Sequence, residues 1–393
     1  MKIPRSLAVG SALALGALAF TACSSSSNSA ATTTTTAVGT IRIGVEGPLT
    51  GSQQETGIGM LNGALLAAKQ LNAKGGIAGK QIVIVPIDDQ ANPAVGVAAA
   101  KKAIASGLQA VVGPYNSGAG LETLPLYLAA GIVPLRLTSS DQTAGLGFTL
   151  QPMTSQIAPV AVHAITTWLG ARSVAIVFDS TQDYTNAAHE KMKELLTAAG
   201  VTVVADEGIA PGASSYSATV TKILAAKPDL VYIDTYHPEG GLIAKAMFDA
   251  KTTSKCLADY GAYDNGFITT AGIDAAQACP VVGVPAPDDF PGAATLVKEY
   301  RQEFGSAPGA WSPYTYDSVL VLAAAAQAAG IFAHEPLTNA LKAINGWKGW
   351  TGTVAFESPS GNRVPAPVTV NRADASGAFH VDSAWINATN FAY

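Results

Sequence analysis

The chain has 393 residues, 28 acidic against 23 basic side chains and a formal charge of -5, and so poor a supply of Lys and Arg excludes the electrostatic footprint that nucleic acid demands. Apolar residues make up 48% of it, and the roughly 350 residues left without a leader suit two domains of about 150 each. Beyond the leader no run of about 20 uninterrupted apolar residues occurs, so no later membrane span is expected.

Taken in chain order, the first element is an export signal. Lys2 and Arg5 precede an apolar run over residues 7–20, the length of a signal-peptide core and short for a bilayer span. Phe20-Thr21-Ala22-Cys23 follows and resembles the bacterial lipoprotein box, although Phe stands where Leu, Val or Ile is usual. That resemblance implies a signal peptide over 1–22, lipid on the Cys23 thiol, and a protein held at the outer face of the cell membrane. An ordinary cut after Ala19 is the alternative. Removing 1–22 takes away two cations and no acid. Residues 23–39, rich in Ser and Thr and free of charge, cannot bury enough surface to offset ordering and read as a tether.

From residue 40 onward, β-rich runs alternate with Ala-rich amphipathic stretches. Strands are expected at 40–45, 81–87, 109–112 and 132–137, with helices between them, the second over about 93–106 and the third running up to 130. After a polar crossing near 151–158 the rhythm restarts, with strands at 173–178, 201–204, 230–233 and 281–284. The clearest helices of this half are 183–199 and 239–250. A helical block over 292–344 and short strands at 351–356, 367–370 and 379–381 complete the chain. Strand and helix in strict turn mean βαβ units and parallel sheets. Two such halves with segments returning at the end predict two lobes and a cleft between them.

With Cys23 committed to lipid, Cys256 and Cys279 remain, and an even pair in an oxidising compartment reads as a disulfide, two buried free thiols being the alternative. The five His lie far apart without ligand spacing, so no metal and no cofactor is expected.

Several motifs now carry a family likeness. Ile41-Arg-Ile-Gly-Val-Glu-Gly-Pro-Leu-Thr-Gly51, Leu71-Asn-Ala-Lys-Gly-Gly-Ile-Ala-Gly-Lys80, Asp88-Asp89, Ala110-Val-Val-Gly-Pro114 and Tyr314-Thr-Tyr-Asp317, in this order, resemble the leucine/isoleucine/valine-binding type of extracellular solute-binding protein. The resemblance implies a periplasmic-binding-protein type I fold, α/β, with two Rossmann-like lobes joined by a multi-strand hinge. One lobe would hold 40–157 and 285–360, the other 158–284 and 361–393. It also implies a small-molecule ligand delivered to an ABC permease. A sensor module feeding a membrane receptor is the rival reading, and a secreted hydrolase a distant third.

The resemblance nominates ligand-binding residues that can be weighed on their chemistry. The loop 113–120 opens a helix, whose free amides favour a carboxylate, and Ser117, Gly118 and Ala119 fall there; Ser117 also reads as a helix N-cap. Thr138, Ser139 and Ser140 align with a segment that holds an amino acid through a carbonyl and a hydroxyl, the hydroxyl falling on Ser140. Tyr184 and Tyr236 fall where relatives place ring walls. The carboxylate that holds an ammonium in amino-acid binders aligns with Tyr260, Asp259 standing one residue earlier on the opposite side of the strand direction, and Thr56 replaces an aromatic. Arg136, a cation in an apolar strand, is expected to have a buried ion-pair partner.

No catalytic set is complete. Gly75 to Gln81 lacks the Ser/Thr of a P-loop, His189-Glu190 lacks a second His, and Tyr115 and Ala119 stand where a nucleophile elbow needs Gly. Asp88-Asp89 and Asp288-Asp289 read as caps and solvated turns. The expectation is a binding protein, not an enzyme.

Overall fold

The computed structural model describes residues 39–390; the signal peptide, Cys23 and nearly all of the tether lie outside the described residues. Alternation decides the first strand. In β1 (Thr40–Gly47) Ile41, Ile43 and Val45 are fully buried, each side chain contributing about 1.5–3 kcal/mol. With β2 (Gln81–Asp88), β3 (Ala110–Val112) and β4 (Val133–Leu135) it forms a parallel sheet in the order β2-β1-β3-β4.

A second sheet takes β5 (Ser173–Asp179), β6 (Thr202–Ile209), β7 (Leu230–Asp234), β8 (Lys255–Ala258) and β9 (Val281–Gly283), all mutually parallel. β7 is buried on both faces, whereas β6, at the edge, alternates between exposed and half-buried residues, as its position requires. β10 (Asn345–Gly349) and β11 (Gly352–Ala355) pair as an antiparallel hairpin. The returning chain then adds β12 (Thr369–Ala373) and β13 (Phe379–Val381) antiparallel, giving the order β13-β12-β9-β8-β7-β5-β6. The second sheet is therefore mixed, because a strand arriving from the far lobe enters from the opposite end.

The helical block returns to the first sheet. Helix Ser312–Ala329 lies against helix Gln54–Ala73, with Ser312 Oγ donating to the Gly59 carbonyl at 2.8 Å and Thr315 Oγ1 to that of Met60 at 2.7 Å. A Cβ at Gly63 would stand 2.1 Å from the Ser312 carbonyl oxygen, so glycine sets this close approach.

Three expectations need correction. β8 was not expected as a strand, because four residues beginning with Lys are too short to show a period. β4 stops at Leu135, since the amides of Arg136 and Leu137 turn to the carbonyls of Phe148 and Pro114. Arg136 has no carboxylate partner among the described residues. Its guanidinium donates to the Thr138 carbonyl at 3.4 Å, the Ser360 carbonyl at 3.4 Å and Asn362 Oδ1 at 2.5 Å. Burial lowers its pKa to about 9, with Asp141 opposing that shift.

Among the described residues no single helix is long and apolar enough to cross a membrane.

Candidate ligand-binding site

A tight turn creates the site on the first lobe. Gly113 has φ +104°, and a Cβ there would lie 2.1 Å from the Glu46 carbonyl oxygen, so only glycine allows the chain to fold back over β1. The turn projects Tyr115 into the cleft and starts helix Ser117–Ala129. Asn116 is the N-cap, which corrects the N-cap reading of Ser117, yet its side chain does not cap: it donates to Gln53 Oε1 at 3.0 Å. The first-turn amides of this helix consequently have no side-chain cap, and the helix end is electropositive.

Between the two sheets lies a narrow, nearly closed cavity of about 10 Å³, walled by Tyr115, Ser117, Leu137 and Ser139 from one side and Tyr184, Tyr236, Tyr260 and Gly261 from the other. All eight are buried. The aromatic rings of its wall are in contact with one another and with Trp311. Tyr184 and Tyr236 have centroids 6.1 Å apart, Tyr236 and Tyr115 6.1 Å, Tyr115 and Trp311 5.7 Å, and Trp311 and Tyr260 5.2 Å. Such tilted neighbours at 5–6 Å support one another as a rigid wall.

Of the residues nominated from the sequence, Ser117, Ser139, Tyr184, Tyr236 and Tyr260 are brought to this cavity. Ser117 Oγ accepts from the Ser140 amide at 3.2 Å, and Ser139 Oγ donates to Gln151 Oε1 at 3.1 Å. The others stand elsewhere. Gly118 and Ala119 are buried in the first helical turn, where a Cβ on Gly118 would meet the Asp183 carboxylate reaching across the cleft. Thr138 shares a 2.7 Å hydroxyl contact with Thr143. Ser140 caps the short turn Asp141–Thr143, its Oγ accepting from the Gln142 amide at 3.4 Å, and it lines an outer depression with Asp141 and Asp183. Thr56 Oγ1 donates to Asp264 Oδ2 at 2.7 Å, both groups buried.

Asp259 stands one layer behind the wall. Tyr184 donates to its Oδ2 at 2.8 Å, Tyr232 donates to Oδ1, and the Gly261 amide reaches Oδ2 at 3.4 Å. Beside it Asp234, at the end of β7, is fully buried with neither carboxylate oxygen hydrogen-bonded among the described residues. Burial pushes the Asp234 carboxyl well above the usual range, and the neighbouring Asp259 and Asp179 push the same way. Burial also raises Asp259, against the pull of the Tyr232 and Tyr184 hydroxyls.

Sequence reasoning missed Tyr115, Leu137 and Gly261 in the lining, and Trp311, which packs on Tyr115 and Tyr260. Tyr115 sits inside the loop 113–120 and could have been named with it; Trp311 precedes a helix far along the chain, and no local signal marks it.

The Asp88-Asp89 turn also departs from expectation. Asp88 accepts from the amides of Leu49 and Thr50, at 3.0 and 3.2 Å, whereas Asp89 is fully buried rather than solvated. No set of three or more His, Cys, Asp or Glu among the described residues is arranged to hold a metal.

Comparison with known proteins agrees with this geometry. The sequence profile of the periplasmic binding proteins matches residues 40–378. A Leu/Ile/Val-binding protein homologue of Brucella abortus is 30% identical over 329 residues, covering 81% of this chain and 86% of its own. The leucine-binding protein LivK of Thermotoga maritima superimposes with a TM-score of 0.79 at 23% identity, covering 87% of this chain and 98% of its own. The branched-chain amino acid transporter substrate-binding protein LivJ of Streptococcus pneumoniae, solved with isoleucine, does so with 0.78 at 23% identity, covering 87% and 99%. Two α/β lobes closing on a buried cavity, and a family profile spanning nearly every described residue, lead to one conclusion: the chain belongs to the periplasmic binding protein family, with the type I fold.

Proposed function

We propose that this protein is an exported, lipid-anchored solute-binding protein that captures a small carboxylate-bearing molecule, an amino acid or a close relative, between its lobes and delivers it to an ABC permease. The observation that carries the reading is the cavity itself, buried between two sheets with uncapped helix amides beside Ser117 on one wall and tyrosines on the other. The relatives named Leu/Ile/Val-binding support an amino-acid-like ligand. Ligand binding should close the lobes, a motion common to two-lobed proteins. Small-angle scattering of ligand-stripped protein should therefore show a smaller radius once ligand is added; an unchanged radius in a protein shown to start open would overturn it.

Recognition of a carboxylate predicts that the amide or ester of the bound ligand binds far worse. We place the hydroxyl contact at Ser139 in preference to Ser140, since Ser139 faces the cavity. Ser139→Ala is expected to cost about 0.5–3 kcal/mol of binding and Ser140→Ala less, read by calorimetry. Thr56, Gly118, Ala119 and Thr138 then act by shaping the closed cleft. Cys23 as the lipid site is tested by intact mass, which should show a chain beginning at a lipidated Cys23.

The pairing of Cys256 with Cys279 belongs to the same exported reading. β8 brings the two Cα atoms to 4.8 Å, within disulfide reach. The bond should stabilise by about 2–4 kcal/mol. Alkylation of folded protein without reductant should label neither thiol, and labelling of both would remove the bond from the account.

A further inference from the structure

The inner cavity has an unusual division of labour: its walls carry hydroxyls and π-faces, while its buried carboxyl groups lie one layer out. Among its lining residues none is a carboxylate. A primary ammonium needs acceptors within hydrogen-bond reach, and Asp259, directly behind the wall, already accepts from Tyr184, Tyr232 and the Gly261 amide. A cation with no N–H to donate has no such need. It is held by ring faces and by the field of acids behind them.

Both supports are present. Tyr184, Tyr236, Tyr115 and Tyr260 line one small space, and Trp311 supports the last two from behind. Behind them β5 and β7 end in Asp179 and Asp234, and β8 is followed directly by Asp259, all three buried. Asp179 accepts from the Thr181 amide and hydroxyl, yet Asp234 has no partner for either oxygen among the described residues. An unpaired buried carboxyl in low dielectric calls for a nearby positive charge or for a proton. The Tyr184 hydroxyl bond to Asp259 also feeds negative charge toward the ring that faces the cavity.

We infer that the ligand is a small betaine-like zwitterion, a quaternary or fully methylated ammonium carrying a carboxylate, with the methylated cation in the tyrosine cage backed by Asp234 and Asp259 and the carboxylate toward Ser117 and Ser139. The inference rests on the solute-binding reading and narrows its ligand. Asp234 is a positioning residue in this arrangement: it acts through the rings and does not touch the ligand. Charge, and not ring area alone, then sets specificity.

An isosteric pair tests this directly. Glycine betaine and 3,3-dimethylbutanoate share shape and carboxylate and differ in the central N+ or C. With ligand-stripped full-length mature protein, calorimetry should give glycine betaine at least 10-fold tighter binding than 3,3-dimethylbutanoate. Asp234→Asn, similar in shape, should reduce or abolish that margin while leaving 3,3-dimethylbutanoate within about 2-fold. Tyr236→Ala should weaken both. Should Asp234→Asn fail to fold, Asp259→Asn is the second variant, with the same expected loss of margin. The inference is overturned if 3,3-dimethylbutanoate or leucine binds as well as glycine betaine, an outcome that leaves the solute-binding reading intact. It is overturned equally if no quaternary ammonium carboxylate among glycine betaine, proline betaine and carnitine binds. Lobe closure with some other carboxylate would then preserve the broader reading, whereas no closure with any small carboxylate would end both.

Discussion

Asp317→Ala is expected to destabilise the protein by about 3–5 kcal/mol, read as a lower midpoint in urea at unchanged slope. Asp317 is fully buried in helix Ser312–Ala329, and its carboxylate accepts from the Trp350 amide at 2.8 Å and from the Thr351 amide and hydroxyl at 2.7 Å each. The Thr351 hydroxyl also receives Arg363 Nη1 at 3.0 Å, and the same guanidinium donates to the carbonyls of Leu150, Thr351 and Thr353. Asp317 is thus linked through the Thr351 hydroxyl to a buried arginine whose charge it favours, and which joins the segments around Leu150 and Thr353. Removing it leaves the Arg363 charge uncompensated and orphans two amides and a hydroxyl. Asp317→Asn keeps one of the two acceptor oxygens but not the charge, and should cost less than Asp317→Ala. Equal losses for the two variants would show that the charge, which both remove, carries the whole effect and that the retained acceptor counts for nothing.

That network also shows where sequence reading stops. Tyr314-Thr-Tyr-Asp317 was legible as a family motif, but nothing in a linear pattern connects it to Arg363 or to the Leu150 carbonyl. The strands of β1, β2, β5 and β7 were legible because buried aliphatics at strand spacing leave few other options. β8 was not, and the antiparallel direction of β12 was not, since both depend on which neighbour a short segment finds. At the site, loops following strands can be aligned, so the sequence nominates Ser117, Ser139, Tyr184, Tyr236 and Tyr260. Which of two adjacent residues faces the cavity is a question of side-chain direction. Tyr260 faces it while Asp259 turns to Tyr184 and Tyr232, and Ser139 faces it while Ser140 caps a turn. Arg136 departs for a similar reason: a buried cation is expected to find a carboxylate, and this one meets the Asn362 side-chain oxygen and two backbone carbonyls instead.

The first lobe should lose stability as pH rises from about 4 to about 7, and Asp89→Asn should remove much of that loss. Glu46 on β1 and Asp89 beyond β2 are both fully buried, and they approach one another around Gly96, close to Thr123. Burial raises the Asp89 pKa from 3.8 to about 7, with Asp88 adding to the rise and the Ala91 amide opposing it. Burial, with Asp89 beside it, pushes Glu46 well above its usual range too. A carboxyl whose folded pKa lies above its unfolded value holds its proton more tightly when folded. Its stabilising contribution is therefore complete below about pH 3.8 and is lost as pH rises through 7. For Asp89 the full effect is on the order of 4 kcal/mol. Asparagine at this position retains an oxygen for the Ala91 amide, which Asp89 Oδ1 accepts at 2.9 Å, but cannot ionise. Exposed carboxylates with lowered pKa, such as Asp229 and Asp374, act in the opposite direction but are common to both proteins and cancel in the difference. Urea unfolding at several pH values should show the variant gaining on the parent by roughly 1.4 kcal/mol per pH unit at most between pH 4 and 7. A stability difference independent of pH over that interval would mean that Asp89 is ionised throughout and paired by something other than a proton.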